Sequence, residues 1–337
     1  MFSTPTQQKD LNLGFIGVGW IGRNRMEVLL QNKKIQAKAI LEPNKENAQK
    51  AQELGSQIKH VNLLEELLES PDIDGVVIAT PSALHAQQSI RALQAGKAVF
   101  CQKPLGRTAT EVREILQQAR KADKLLAVDF SYRYTKAFQA VYQVIQNREI
   151  GSVFAVDLVF HNAYGPDKEW FFDIDKSGGG CVMDLGIHLV DLALWILDFP
   201  QVQSVTSSLY SKGKKLESKG SQVEDYASVS MATSEGTQIN LQCSWHLSAG
   251  QDAVIEARFY GTHGGAAFTN INGSFYDFKA ERFTGTHRET LDGPPDDWGG
   301  RAGLLWAEEL LENKGYNEVA AQEIIKTTEI IDRIYGR

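Results

Sequence analysis

Short apolar runs alternate with stretches of helical periodicity over the first third of the chain. Leu11 to Gly17, Ile35 to Leu41, Gly75 to Ala79, Ala98 to Cys101 and Leu125 to Val128 are rich in β-prone apolar residues, as strands buried on both faces are. Between them, Ile21 to Gln31, Lys45 to Leu54, Ser82 to Ala95 and Ala109 to Lys121 carry helical patterns. Gly55 and Gly96 fall where left-handed helix ends are expected, and Thr108 with Glu111 has capping-box spacing. Strand–helix alternation with short connections predicts βαβ units and a doubly wound parallel sheet of the Rossmann type.

The period changes further on. Ser152 to Phe160, Val202 to Tyr210, Val223 to Ala232, Thr237 to Trp245 and Ala253 to Tyr260 are longer, and several alternate polar with apolar residues. That alternation predicts an antiparallel sheet with one open face. Helical patterns interrupt it at Lys136 to Gln146 and Val182 to Leu197, and others close the chain at Leu304 to Leu311 and Val319 to Tyr335. The chain is thus expected to divide into residues 1–130, an α/β domain, and residues 131–337, an α+β domain. The charged, Gly-rich stretch 211–220 reads as a solvated hairpin loop.

Composition narrows the class. The 337 residues, 42% hydrophobic and 23% charged, are ordinary globular usage and allow two domains. The formal charge of −7, with no basic run, argues against nucleic-acid binding, which needs clustered Lys and Arg. The three cysteines, Cys101, Cys181 and Cys243, lack CxxC spacing, so neither a disulfide frame nor a structural zinc site is expected. The polar N-terminus has no signal-peptide core, and no apolar run is read as reaching the ~18 residues of a membrane helix. A soluble cytoplasmic protein without a membrane partner is the expectation.

Gly17-Val18-Gly19-Trp20-Ile21-Gly22 is a G-x-G-x-x-G between an expected strand and an expected helix. The first glycine permits a tight turn, the second lets backbone approach a pyrophosphate, and the third lets helix pack on strand. The pyrophosphate would meet the helix N-terminus. Glu42 ends the second strand 20 residues beyond Gly22, where an acid bonding the adenosine ribose hydroxyls belongs. A carboxylate there repels a 2′-phosphate and favours NAD over NADP, although Arg23, Arg25 and Lys45 are placed to counter it.

A second group of residues carries alcohol chemistry. Lys103, in Gln102-Lys103-Pro104, follows an expected strand's carboxyl end, where open α/β sheets place ligands. Downstream of the triglycine Gly178–Gly180, Asp184 and His188 stand four apart on one helix face, with Asp191 near that face. The triglycine lets the helix start approach another backbone or a ligand. Oxidising an alcohol needs a base for the hydroxyl proton and a donor for the oxygen, and imidazole and ammonium suit those tasks.

Together with Thr80-Pro81-Ser82-Ala83-Leu84-His85 and Asp129-Phe130-Ser131-Tyr132-Arg133-Tyr134, these elements resemble the Gfo/Idh/MocA family, the glucose–fructose oxidoreductase and inositol dehydrogenase group. The resemblance covers nearly the whole chain. It implies an N-terminal NAD(P) domain, a C-terminal α+β domain with a large sheet, and a substrate cleft between them. It further implies His188 as acid/base, Asp184 as substrate or histidine anchor and Lys103 as hydroxyl donor, with Lys103 and His188 able to exchange the base role. Gly17, Gly19, Trp20, Ile21, Gly22, Glu42, Thr80, Pro81, His85, Gln102 and Lys103 become cofactor contacts. No metal is implied. Gln102 departs from the family's usual Glu, which removes a negative charge beside the ammonium and eases its deprotonation.

The segment from Phe160 to Trp170 mixes polar groups with Tyr164 and Trp170, and with Arg133 forms an expected wall for a polyhydroxylated ring. Substrate contacts are accordingly Lys103, Arg133, Tyr164, Trp170, Asp184 and His188. A sugar, inositol or related polyol is the substrate class. An NAD-dependent glycosidase and a non-catalytic NAD(P)-binding regulator stay open as alternatives on the same fold. The family resemblance implies a homodimer or homotetramer through the C-terminal sheet.

Overall fold

The computed structural model describes residues 10–218 and 221–337. The first nine residues, and residues 219 and 220 of the charged loop, lie outside them. Six strands come first: β1 (Leu11–Ile16), β2 (Ile35–Leu41), β3 (Lys59–Val61), β4 (Gly75–Ile78), β5 (Ala98–Cys101) and β6 (Leu126–Val128). All their pairings are parallel, in the order β3-β2-β1-β4-β5-β6. The order reverses between β1 and β4, which opens a crevice at the carboxyl ends of the strands. Helices α1 (Trp20–Leu30), α2 (Lys45–Gln52), α3 (Leu64–Leu68), α4 (Ser82–Gln94) and α5 (Ala109–Ala122) connect the strands. β1, β4 and β5 are buried almost throughout because helices cover both faces. Gly96 ends α4 with φ +74°, whereas Gly55 is not left-handed, and α2 stops two residues earlier at Glu53. Thr108 caps α5 by accepting the Glu111 N–H, and Glu111 reaches back to the N–H of Arg107 rather than that of Thr108.

The second half contains α6 (Lys136–Gln146), β7 (Val153–Asn162), α7 (Ile174–Ser177) and α8 (Ile187–Ile196). Then come β8 (Val202–Ser211), β9 (Lys214–Lys215), β10 (Tyr226–Thr233), β11 (Gln238–Ser244), β12 (Ala253–Gly261), β13 (Gly264–Asn270), β14 (Phe278–Thr284) and β15 (His287–Asp292). Among the described residues these strands make one nine-stranded sheet, β15-β14-β13-β12-β7-β11-β10-β8-β9, antiparallel except where β7 meets β11. Burial alternates along β10 and β12, so one face carries the core and the other is half-exposed.

Two closing helices, α9 (Arg301–Leu311) and α10 (Glu318–Tyr335), bind the halves together. On α9, Trp306 packs its ring 5.7 Å from that of Phe100 in β5, so this late segment shares the core of the parallel sheet. On α10, Asp332 accepts the N–H of Ala109, and Ile334 accepts the Ser207 hydroxyl of β8. The segment Ile174–Ile196 has, by length and composition only, the mean hydropathy, 1.5, of a membrane helix. It is 83% buried between sheet and helices, which makes it the core helix of this half.

Candidate functional site

Residues following five strand ends of the parallel sheet meet at one crevice: Gly17 after β1, Glu42 after β2, Thr80 after β4, Gln102 and Lys103 after β5, and Asp129 after β6. Gly17 takes φ +82°, and a Cβ on it would lie 2.6 Å from the carbonyl oxygen of Ala79. A Cβ on Gly22 would lie 2.1 Å from the Gly17 oxygen, so helix and turn touch backbone to backbone. A Cβ on Gly19 would meet nothing within 4 Å, and no side chain caps α1. The start of that helix is therefore an open cradle of unpaired N–H groups, the form a pyrophosphate requires. Trp20 stands exposed at its mouth, with Ile21 half-buried behind. Glu42 is buried, and its two oxygens accept the N–H groups of Val18 and Asn44, each at 2.9 Å. Each oxygen keeps a lone pair for a ribose hydroxyl. The residues therefore fit a dinucleotide.

Lys103 reaches across to the other half. Its Nζ donates to Asp184 Oδ1 at 2.8 Å and to the Asp184 carbonyl at 2.6 Å. Asp184 Oδ2 accepts the indole N–H of Trp245 at 3.1 Å. Asp184 lies in a π-helical turn, Val182–Gly186, that runs into α8. The buried carboxylate of Glu224 anchors the start of this turn by accepting the N–H groups of Gly180 and Val182 and the Tyr335 hydroxyl. A Cβ on Gly180 would stand 1.8 Å from the Glu224 carbonyl oxygen, which is the close backbone approach the triglycine permits.

His188, one turn on, meets Tyr132 edge to face at 4.8 Å. Its Nδ1 is buried and has no partner among the described residues. Burial holds the imidazole well below its ordinary pKa, and the Lys103 and Arg25 cations push it the same way. The ring is therefore neutral near pH 7. Burial likewise raises the Tyr132 phenol, reinforced by Asp184.

Several residues sit differently from the sequence expectation. Arg133 is a core ion pair rather than a pocket wall: it donates twice to Asp191, at 2.7 and 2.6 Å, and once to Glu323 at 2.6 Å, against the Trp195 ring. Arg25 points inward to Asp129 at 2.6 Å and is spent before any 2′-phosphate. His85 is buried, with Nδ1 and Nε2 each 2.7 Å from the carbonyls of Pro104 and Thr80, so it clamps two crevice turns together rather than facing the crevice. Tyr164 is exposed and donates to Asp252, while Trp170 stacks on Phe171, whose ring meets Trp245 edge-on. Cys101 is fully buried, and burial raises its thiol pKa, which leaves it inert.

The carboxylate missing at position 102 reappears nearby. The Gln102 amide and Arg25 both donate to Oδ2 of Asp129. The sequence reading passed over Asp129, although it follows a strand at the ligand edge, and Trp245, which ends an apolar run. The signal for Trp245 was out of reach, because Asp184 lies 61 residues away.

Comparison with known proteins agrees with this geometry. The model of the Gfo/Idh/MocA oxidoreductase family, NAD-binding Rossmann fold, matches residues 11–130, and that of the Gfo/Idh/MocA C-terminal domain matches 138–267. The chain is 29% identical over 263 residues to inositol 2-dehydrogenase of Rhizobium meliloti, covering 77% of this chain and 76% of that protein. It is 28% identical over 232 residues to D-glucoside 3-dehydrogenase of Escherichia coli, covering 66% of this chain and 65% of that protein. The solved structure of aldose–aldose oxidoreductase from Caulobacter crescentus superposes with a TM-score of 0.83 at 19% identity, over 97% of each chain.

Proposed function

Because the chain belongs to the Gfo/Idh/MocA oxidoreductases and carries their NAD-binding Rossmann domain, we propose that it interconverts a secondary alcohol and a ketone on a sugar, inositol or related cyclic polyol. In the oxidising direction the carbinol carbon loses a hydride and its oxygen loses a proton, giving the ketone. NAD⁺, when bound, would supply the acceptor for that hydride. The observation that carries this reading is the Lys103–Asp184 pair, which joins residues 81 apart in sequence beside a neutral, half-buried imidazole.

The chain's own groups divide the work. The Lys103 ammonium, held by Asp184, donates to the substrate oxygen and stabilises negative charge as the proton leaves. The neutral His188 accepts that proton. Asp184 fixes the lysine and is itself fixed by the Trp245 indole. Glu42 favours NAD over NADP, and the inward turn of Arg25 removes one of the three cations that could pair with a 2′-phosphate. The reading includes two domains meeting near residue 130, with α9 returning to the first. It also includes self-association through the half-exposed face of the nine-stranded sheet.

Lys103→Ala and His188→Ala should each lower kcat by roughly 10²–10⁴-fold, the usual worth of a positioned proton-transfer group. NADH affinity, read by fluorescence titration, should stay within about twofold. Unchanged turnover in either variant overturns the assignment. In sedimentation velocity the protein should run as a dimer or tetramer, and a monomer at micromolar concentration would remove the assembly surface.

A further inference from the structure

The crevice holds a carboxylate that no step of the proposed reaction uses. Asp129, 1% exposed, sits at the tip of β6, and its Oδ2 accepts Arg25 Nε at 2.6 Å together with the Gln102 amide. Its Oδ1 is buried without a partner among the described residues, so these two donors are what hold the carboxylate. Arg25 lies on α1, Gln102 follows β5 and Asp129 follows β6, so one buried link runs from the helix that opens at the Gly17 turn to the residue beside Lys103. The guanidinium cancels the carboxylate's charge, which lets it stand at this depth.

The link fixes which way the amide faces. A carboxylate paired with a guanidinium only accepts, so Gln102 must turn its NH₂ to Asp129 and its carbonyl Oε1 the other way. Oε1 has no protein partner among the described residues and, unlike Asp129 Oδ1, is not sealed from solvent. Strand order says what stands over it. A dinucleotide with its adenosine ribose at Glu42, after β2, and its pyrophosphate at the start of α1 crosses the switch between β1 and β4. Its other ribose then lies over the tips of β4 and β5. Lys103 rises from the same tip as Gln102, and the Arg25 cation is near enough to His188 to lower its pKa, so the link lies at the hydride end of the crevice.

We propose that Asp129 is a positioning residue for the cofactor: through Gln102 it presents a fixed carbonyl acceptor to a hydroxyl of the ribose that bears the nicotinamide. The proposal rests on the preceding section's placing of hydride transfer beside Lys103, and not on the polyol class. Glu42 takes one ribose with a charge, and Gln102 takes the other with a neutral amide whose direction is set from behind. The acceptor next to the Lys103 ammonium is therefore uncharged, and the carboxylate behind it is already paired to Arg25.

The test is isothermal titration of the purified full chain with NADH, ADP-ribose and ADP, since ADP lacks the second ribose and ADP-ribose lacks only the nicotinamide. Gln102→Leu should weaken NADH and ADP-ribose about tenfold, the usual worth of one hydrogen bond, and leave ADP within about twofold. Asp129→Leu alone strands the Arg25 charge and risks misfolding. It is therefore made together with Arg25→Met, an exchange of a buried ion pair for apolar side chains of similar size that folded proteins tolerate. That pair should show the same selective loss. Adding Gln102→Leu to it should weaken NADH by under about twofold more, because all three changes act on one contact. Equal weakening of all three ligands, no weakening of any, or losses that multiply in the triple variant overturns the positioning role and leaves the oxidoreductase reading standing. Weakening of NADH without ADP-ribose overturns the ribose as the partner of Gln102. A wild-type chain that binds NADH and ADP-ribose no tighter than ADP overturns both the proposal and the placing of hydride transfer beside Lys103.

Discussion

At the scale of single residues, the site is a balance of burial against charge. His188 keeps its proton off because the fold strips water from the imidazole and sets two cations, Lys103 and Arg25, near it. The unfolded chain, with an ordinary histidine pKa near ~6.5, binds that proton readily. The unfolded state therefore gains protons first as pH falls, and stability declines below about pH 6.5 by up to ~1.4 kcal/mol per pH unit until the folded value is reached. Burial also lowers the His85 pKa, so that residue adds a loss of the same sign. Urea unfolding of wild type and His188→Gln at pH 7.5 and 5.5 should show the smaller loss in the variant. Equal losses would mean that the imidazole titrates as it does in water.

Residue identities at this scale were legible where one strand or helix carries the signal. The sequence points to Gly17, Glu42, Lys103, Asp184 and His188 because each occupies a set place on its own element, and the fold brings Lys103 and Asp184 together. The misplacements came from contacts that no local pattern encodes. Arg133 looks like a ligand-binding cation until Asp191 and Glu323 are seen to hold it. Gln102 looks like a lost carboxylate until Asp129 is seen beside it.

At the scale of elements, the glycine-rich start of the helix bearing Asp184 depends on one buried side chain. Glu224 is fully buried and satisfies two backbone N–H groups and a tyrosine hydroxyl. Glu224→Ala leaves three buried donors without an acceptor, at roughly 1–3 kcal/mol each. Denaturant unfolding should show a loss of at least ~3 kcal/mol, and turnover should fall while NADH affinity holds, because the cofactor cradle lies in the other half. A loss under ~1 kcal/mol would show that water replaces the carboxylate.

Long strands with clean alternation, such as β7 and β12, were legible to within a residue or two. β3 escaped because three residues carry no period. β15 escaped because His287, Arg288 and Glu289 make it a charged, exposed edge, the guise that edge strands adopt against aggregation. The π-helical turn at Val182–Gly186 left no trace in the sequence because its composition is that of any buried helix.

At the scale of the whole molecule, the chain crosses to the second sheet near residue 130 and then returns. Trp306, 1% exposed, fills the space beneath Phe100 and Gly75 of the parallel sheet. Trp306→Ala should cost about 3–5 kcal/mol, as deletion of a large buried aromatic does. Because α9 also packs on α1, NADH affinity should fall in the same variant, which separates it from Glu224→Ala. A variant with full stability would mean that α9 is a passenger on the sheet. The sequence pattern predicts that helix but not its allegiance, since an amphipathic stripe does not state which apolar surface it will cover.

The junction between Lys103 and Asp184 also bears on how such a protein changes over generations. On the proposed reading, hydride acceptance belongs to strand tips in one half, whereas recognition of the compound oxidised falls to the opposite half, around Asp184 and Trp245. Mutations confined to the residues beside Trp245 should then redirect the same oxidation to new compounds while the acceptor stays constant. A directed-evolution campaign for altered selectivity belongs there, and one for altered acceptor preference belongs around Glu42.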